Sequence, residues 1–215
     1  MKTEPDHDCS LCPRLRGFVL QNREEFPDWH NAPVNTWHPN AGASSVRLLI
    51  VGLAPGLRGA NRTGIPFTGD DSGSLLFETL ERHGFAAADA QTDSARMYRL
   101  TETAITNAVR CVPPGNKPVG AEINTCRIFL SETISQCSAL KVVVTLGKVA
   151  HDSTIRALGG KVAQHPFAHA AETGIAGVRV FSSYHCSRYN INTGRLTPDM
   201  FDAVFDKAAR SLATR

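Results

Sequence analysis

Four short runs rich in β-branched residues recur along the chain, at 46–53, 104–109, 142–146 and 178–184, and helical patterns separate them. Strands that are joined by crossover helices run parallel, and the helices cover both faces of the sheet. The sequence therefore predicts an α/β fold, a three-layer αβα sandwich around a mainly parallel four-stranded sheet. In such a sheet, ligands bind beyond the carboxyl ends of the strands.

Helix start signals stand between and after these runs. Ser72 can cap a helix with apolar residues at helical spacing, Pro118 can open a second helix, and a third follows Gly147. The last helix has the clearest start, with Thr197 as its cap and Pro198 at its first helical position. We expect this last helix to pack on the sheet.

The length of 215 residues and the hydrophobic content of 42% suit a single domain, 1–215, with a full core. Two segments precede the first predicted strand: a cysteine-bearing segment of about 1–25 and an irregular stretch of about 26–45. The irregular stretch carries Trp29, Trp37 and several prolines, so we expect it to form an ordered loop.

No run approaches the roughly 18 to 20 apolar residues of a membrane span, and the polar start, 1–8, lacks the apolar core of a signal peptide. We therefore expect a cytoplasmic monomer that does not bind membranes. The net charge of +3 is mild, and it permits DNA binding without demonstrating it.

The segment after the first run is rich in glycine, with Gly52-Leu-Ala-Pro-Gly56 followed by 59–64 and 66–70. Glycines permit tight turns and a close approach of the backbone to a ligand. The segment lacks both the ending of a phosphate loop and the spacing of a dinucleotide fingerprint, so a plain glycine-rich turn is the alternative. Phe67 can stack on a flat ring, and the Asp70 carboxylate can either position water or cap a helix.

Polar side chains also stand where the second and fourth runs end. The carboxamide of Asn107 offers one acceptor and two donors, which can pair with the edge of uracil, although a strand-end Asn is often a turn former. His185 can donate to a carbonyl oxygen of a departing base, whereas a lone strand-end histidine is usually structural. Ser187 and Arg188 suit contact with phosphate.

Six cysteines in a chain without export features indicate metal or cluster ligation rather than disulfides. Cys9 and Cys12 form a Cys-x2-Cys pair, and Cys111 and Cys126 would complete a set of four thiolates if the fold unites them. Four thiolates suit either zinc or a four-iron cluster, and their spacing does not choose between the two. Cys137 is expected to be a buried apolar residue.

Together the three loops resemble those of family 5 uracil-DNA glycosylases, the iron-sulfur B-type enzymes of bacteria and archaea, and the resemblance covers nearly the entire chain. The matching motifs are Gly52-Leu-Ala-Pro-Gly56, the glycine-rich segment 59–70, the segment 106–118, His185-x-Ser187 and Asn192-Thr-Gly-Arg-Leu-Thr-Pro198. One departure is Cys186, where members of the family commonly place proline.

The resemblance implies a monofunctional glycosylase of base excision repair, which flips uracil out of DNA and hydrolyses its glycosidic bond. Hypoxanthine and other deaminated or etheno bases are further candidate substrates, in single- or double-stranded DNA. Phe67 would stack on the base, Asn107 would read its edge and His185 would stabilise negative charge on its oxygen. Asp70 would position water, and it completes the catalytic set with Asn107 and His185. The expected base-binding set also includes the loop residues Ala54, Pro55 and Gly56.

The resemblance further assigns the four thiolates of Cys9, Cys12, Cys111 and Cys126 to a 4Fe-4S cluster. The residues expected to contact DNA are Asn61, Arg62, Ser187, Arg188, Asn190, Asn192 and Arg195. Two rival functions remain open. A non-catalytic iron-sulfur or zinc DNA-binding module would need the thiolates and basic residues but not Phe67, Asn107 and His185 together. A nucleotide-binding hydrolase would need a pair of metal-binding carboxylates near the glycine-rich segment.

Overall fold

The computed structural model describes residues 3–89 and 98–213. Its strands, in chain order, are β1 (Leu48–Gly52), β2 (Ala86–Ala88), β3 (Tyr98–Leu100), β4 (Thr103–Asn107), β5 (Val142–Leu146), β6 (Glu172–Ile175) and β7 (Val178–Ser183). Its helices are α1 (Pro13–Glu25), α2 (Ala60–Thr63), α3 (Asp71–Arg82), α4 (Gly120–Gln136), α5 (Lys148–Ala157), α6 (Arg188–Asn192) and α7 (Pro198–Ala213). Short 3-10 turns form at Ala43–Ser45, Pro114–Asn116 and Val162–Gln164.

The main sheet has five strands in the order β4-β1-β5-β7-β6, and the first four run parallel. The predicted α/β sandwich with a mainly parallel sheet is confirmed, but the strand count of four was wrong. The missed strand is β6, which pairs antiparallel with β7 at the edge. Its residues alternate between exposed and half-buried positions, so it lacks the continuous apolar run of the central strands.

A tight hairpin turn joins β6 to β7. Ile175 pairs with Val178, and the two turn residues, Ala176 and Gly177, both have positive φ angles of 51° and 77°. Such a turn matches the right-handed twist of the flanking strands. Ala-Gly is a weaker hairpin signal than Asn-Gly, which explains why the sequence pattern did not reveal this strand.

The core lies on both faces of the sheet, because successive side chains of a strand point to opposite faces. On one face, Leu48 and Ile50 of β1 belong to a buried cluster with Phe201 and Phe205 of α7. On the other face, Leu49 and Val51 belong to a cluster with residues of α4 and α5. Complete burial of one such side chain contributes about 1.5–3 kcal/mol to the stability of the fold, so the central strands are the main source of hydrophobic stabilisation.

Two of the expected helix starts are confirmed, and two need correction. Pro118 lies outside α4, which begins at Gly120 after its N-cap, Val119. Asp70, rather than Ser72, caps α3, because its carboxylate accepts a hydrogen bond from the Ser72 backbone N–H at 3.1 Å. Helix α5 begins directly after Gly147, and α7 begins at Pro198 as expected. Helix α1 was not predicted, since its sequence has no clear apolar stripe.

The irregular stretch 26–45 runs past β4. Trp37 exchanges two backbone hydrogen bonds with Ile105, of 2.9 and 3.0 Å, and its side chain is buried. This contact shields the edge of the sheet from pairing with another chain. Within the described ranges, no helix combines the length and apolar character that a membrane crossing requires.

Candidate active site

A cavity of about 380 Å³ opens at the carboxyl ends of the parallel strands. Its walls come from the loop after β1, the start of α3, the start of α5 and the loop after β7, and they include Ala54, Pro55, Gly56, Asp70, Ser72, Asn116, Gly147, Lys148, His185 and Ser187. Parallel strands deliver their following loops to one edge, which is why segments distant in the sequence meet there.

Gly52, the last residue of β1, lies beneath Asn107 and Phe67. A Cβ atom at Gly52 would lie 2.4 Å from Asn107 Oδ1 and 2.7 Å from the Phe67 ring, closer than side chains approach. The missing side chain therefore lets the carboxamide and the ring come together over the backbone. Asn107 is 3% exposed and lies at the carboxyl end of β4.

The Phe67 ring lies beside the imidazole of His185. Phe67 is 7% exposed and has a φ of 58°, in the left-handed region that non-glycine residues rarely adopt. Such strained conformations cluster at functional sites, where the surrounding structure imposes them. Three side chains that the sequence places in separate loops, Phe67, Asn107 and His185, are thus brought together.

His185 is a neutral hydrogen-bond donor in this environment. Burial lowers the pKa of its imidazole to about 4, so the ring carries a single N–H at neutral pH. Its Nδ1 atom is buried and has no partner in the described part of the chain. The loop that carries it is held by Asn190 Nδ2, which donates to the His185 carbonyl at 2.8 Å.

Cys186 connects the His185 loop to the start of α3. Its side chain is 1% exposed, and its thiol donates to the Ser72 carbonyl at 3.4 Å. Burial raises the pKa of this thiol to about 12, so it stays protonated and able to donate. The residue that replaces the expected proline therefore tethers the loop through its side chain.

Asp70 caps α3 and lines the cavity at the same time. A Cβ atom would lie 2.3 Å from Asp70 Oδ2 at Gly59 and 2.9 Å from it at Gly56, so both glycines make room for this oxygen. Partial burial raises the pKa of the carboxyl, and the negative charge of Asp71 adds to the effect. The two alternatives weighed for Asp70, helix capping and a place in the site, are therefore compatible.

Most of the expected DNA-contacting residues are accessible, and Asn61 is the exception. Asn61 is fully buried, and its side chain donates to Asn31 Oδ1 at 2.9 Å inside the protein. It therefore supports the loop from within and is not exposed to DNA, contrary to expectation. Exposed or half-buried positions are occupied by Arg62, Ser187, Arg188, Asn190, Asn192 and Arg195.

Two of these residues contact other side chains of the protein. Arg188 forms an ion pair with Asp71 at 2.7 Å, and both side chains are exposed. The Arg195 guanidinium lies over the ring of Tyr184, 4.7 Å from its centroid. Both arginines sit on the rim that the loop after β7 contributes.

Three residues near the cavity were missed at the level of sequence. Asn116 and Lys148 line the cavity, and Lys148 forms an ion pair with Asp152 at 2.7 Å. Tyr189 follows the Ser187 cap and is 72% exposed, unusual for an aromatic side chain. Lys148 stands two residues after the predicted run 142–146, and the rule that ligands bind at strand ends would have marked it. Asn116 lies seven residues beyond the run 104–109, and its place at the cavity depends on the fold of the loop after β4.

The four candidate cysteine ligands border one small cavity. Cys9, Cys12, Cys111 and Cys126 line it together with Leu15 and Phe129. Burial, followed by repulsion from the other three thiolates, raises the pKa of Cys111 to about 12. Among residues 3–89 and 98–213, no three His, Cys, Asp or Glu side chains are spaced to hold a single metal ion.

Helix α1 is fixed beside this cavity by an ion pair with α4. Arg14 donates to both carboxylate oxygens of Glu122, at 2.7 and 2.8 Å, and the Glu122 side chain is 6% exposed. Such two-pronged pairs are geometrically specific. They hold Cys12, at the start of α1, against Cys126 of α4.

The parallel sheet has a cavity beyond its strand ends, with the neutral imidazole of His185 in the cavity wall and the Phe67 ring beside that imidazole. These features define an α/β protein whose candidate ligand site lies at the strand ends. Comparison with known proteins narrows the class. The model of the uracil DNA glycosylase superfamily matches residues 39–209. The chain belongs to this superfamily, and within it to the type-5 uracil-DNA glycosylases.

Curated relatives carry the same name. The chain is 39% identical to the type-5 uracil-DNA glycosylase of Thermus thermophilus over 211 residues, which cover 94% of this chain and 93% of the relative. It is 39% identical to the Mycobacterium tuberculosis enzyme, with 94% and 77% covered. For the Pyrobaculum aerophilum enzyme the identity is 36%, with 94% and 88% covered. The family resemblance seen in the sequence is confirmed.

Proposed function

We propose that this protein is a DNA repair glycosylase that removes uracil from DNA by hydrolysing the bond between base and sugar. The observation that carries the proposal is the convergence of Phe67, Asn107 and His185 at the strand ends: Phe67 and Asn107 meet over Gly52, and Phe67 lies beside His185, which lines the cavity. The type-5 uracil-DNA glycosylases among its relatives support it. The substrate is DNA, and both single-stranded and duplex DNA are proposed substrates.

Base recognition begins outside the stack of base pairs. Extruding a nucleotide costs a few kcal/mol, and a weakened pair reduces that cost. The extruded base would stack on Phe67, and the Asn107 carboxamide would pair with its N3–H and O4. Thymine differs from uracil by an extra C5 methyl group, so it tests how closely the site fits the base.

His185 would act on the departing base. Cleavage leaves negative charge on the base and positive charge on the sugar, so a donor aimed at the base oxygen stabilises the transition state. A neutral imidazole can fill this role, because one of its ring nitrogens keeps an N–H that can donate to the base oxygen. Backbone N–H groups of the loop after β1, near Pro55 and Gly56, lie along the same cavity and would add to this donation.

Asp70 would hold the attacking water. Its carboxylate is fixed by the cap of α3, and one oxygen lies over Gly56 and Gly59 at the cavity wall. A carboxylate in this position accepts a proton from water and also favours a positively charged sugar. The raised pKa of Asp70 makes it a better base than an ordinary aspartate.

The four cysteines would hold a 4Fe-4S cluster. They border one cavity, and Arg110, at its wall, has a buried Nε atom without a partner in the described part of the chain. A cluster occupies more space than one metal ion, and its sulfides accept hydrogen bonds. The cluster would link α1, α4 and the segment after β4, and its role would be structural. The excision steps would be carried out by other residues.

The decisive experiment is excision by the purified protein on single-stranded and duplex oligonucleotides that carry one uracil, hypoxanthine or etheno base, with thymine as the control. The proposal expects release of uracil and no release of thymine. Hypoxanthine and etheno bases extend the substrate range if they are released. A protein that binds these oligonucleotides but releases no base is a DNA-binding module, and the glycosylase proposal is then wrong.

A further inference from the structure

Arg110 has the largest fully buried side chain in the described part of the chain, with 1% of it exposed. It lies three residues after Asn107 and directly before Cys111. Removing a guanidinium from water is costly unless other groups compensate its charge. The proposed excision chemistry makes no use of this charge.

The polar contacts of Arg110 are mostly neutral. Its two terminal nitrogens donate to Thr36 Oγ1 at 2.9 Å and to Thr133 Oγ1 at 2.8 Å. The single carboxylate in contact is Glu4, with Oε2 at 3.0 Å, and 23% of the Glu4 side chain is exposed. The Nε atom is buried without a partner among the described residues. A permanent cation in the interior is thus paired with a single carboxylate among the described residues, through the buried Oε2 atom of Glu4.

Further negative charge to compensate Arg110 would come from the cysteines. Arg110 lines the cavity that Cys9, Cys12, Cys111 and Cys126 border. Its backbone N–H donates to the Cys126 sulfur at 3.3 Å, inside the protein. Cysteine ligands are thiolates, so a cluster bound there brings negative charge to the wall that contains Arg110.

We propose that Arg110 is the internal counter-charge of the cluster and sets its reduction potential. The inference rests on the proposed 4Fe-4S cofactor. When an external one-electron reductant such as dithionite reduces the cluster, one negative charge is added and no proton is required. A buried cation stabilises that added charge, as does the N–H bond to the Cys126 sulfur, so both raise the potential. Glu4 opposes this effect.

The test compares variants whose shifts must have opposite signs. Arg110→Met removes the cation and is expected to lower the potential, whereas Glu4→Gln removes the opposing anion and is expected to raise it. Arg110→Lys keeps the charge and should stay close to the wild type. Glu24→Gln makes the same charge change on an exposed position of α1 and is the matched control. The expected shift is about tenfold in the reduction equilibrium, or about 59 mV, for each of the first two variants.

The measurement is a redox titration of the iron-loaded proteins at pH 8, followed by absorption and electron paramagnetic resonance. At this pH His38, which is near Glu4 and Arg110 and whose pKa burial lowers, is neutral. Iron content per chain and thermal unfolding are recorded for every variant. If Arg110→Met does not fold or load iron, Glu4→Gln against Glu24→Gln decides the question.

Equal potentials for Glu4→Gln and Glu24→Gln, in proteins with full iron content, would overturn the role of Arg110 while leaving the cofactor in place. Shifts of the same sign for Arg110→Met and Glu4→Gln would overturn it as well. A wild-type protein purified without oxygen that holds no iron overturns the cofactor and this inference together. Uracil release, measured separately, tests the glycosylase function independently of all three results.

Discussion

The ring of Phe67 lies 5.9 Å from the imidazole of His185, centroid to centroid, with 22° between the two planes. A base between them would need two contact layers of about 3.5 Å each, or about 7 Å. The two rings therefore do not sandwich a base in this arrangement. In the proposed function, Phe67 would therefore offer a stacking face, and His185 would meet the base from its edge, where the carbonyl oxygen is.

Replacing His185 by Ala is expected to lower the rate of uracil excision by about a hundredfold to a thousandfold, because one preorganised donor is lost. Affinity for DNA should change little, since the donor acts mainly in the transition state. Single-turnover kinetics on a uracil oligonucleotide measure this. Excision at the wild-type rate would remove His185 from the mechanism.

Two substitutions separate the roles of Asp70. Asn is as good a helix cap as Asp, so Asp70→Asn should keep the stability of α3 and lose excision activity. Asp70→Ala should lose activity and also about 1 kcal/mol of unfolding free energy. Thr197→Ala, at the cap of α7, is the control for a lost cap. An Asp70→Asn protein with full activity would show that Asp70 only caps the helix.

Adding a methyl group at Gly52 should disable base recognition. The new Cβ would overlap Asn107 Oδ1 and the Phe67 ring, so Gly52→Ala should reduce uracil excision at least about tenfold and cost about 1–3 kcal/mol of stability. Gly17→Ala is the matched control, because nothing lies within 4 Å of its Cβ position. Affinity for undamaged DNA should be the same in both variants. If Gly52→Ala excises uracil normally, the close approach has no role in selection.

The low pKa of His185 predicts a specific pH dependence of stability. Below the ordinary histidine pKa of 6.5 the unfolded chain takes up a proton, whereas the folded protein does so only at about pH 4. The free energy of unfolding should therefore fall as the pH drops from 6.5 towards 4. For His185→Asn, the free energy of unfolding measured in denaturant titrations should fall less steeply between pH 7 and 5. Equal slopes for the two proteins would show that His185 titrates normally.

The sequence predicted which candidate residues lie together at the strand ends better than it predicted their contacts. Asn107 and His185 stand at strand ends, and the geometry of parallel sheets alone brings strand ends to one edge. Asn61 was misplaced, because an asparagine in a glycine-rich loop suggests a surface. Its position inside depends on Asn31, thirty residues away, and no local pattern reveals such a pairing.

The contact of Gly52 with Asn107 and Phe67 was likewise invisible in the sequence. A glycine signals freedom of the backbone or close approach, but it does not identify the neighbour. The strand β6 was not predicted for a related reason. Glu172 and Thr173 pair with β7 only because the Ala176-Gly177 turn folds them onto it. Each missed feature is set by tertiary contacts rather than by local preference.

The backbone angle of Phe67 has an evolutionary consequence. At a φ of 58°, glycine or asparagine would be the easier residue for folding, so the phenyl ring is kept at some expense of stability. In a laboratory lineage selected for heat resistance alone, position 67 should drift towards glycine. In a lineage that must also survive cytosine deamination, the aromatic ring should persist. A difference between the two lineages at position 67 would show that selection for repair, rather than for stability, keeps phenylalanine there.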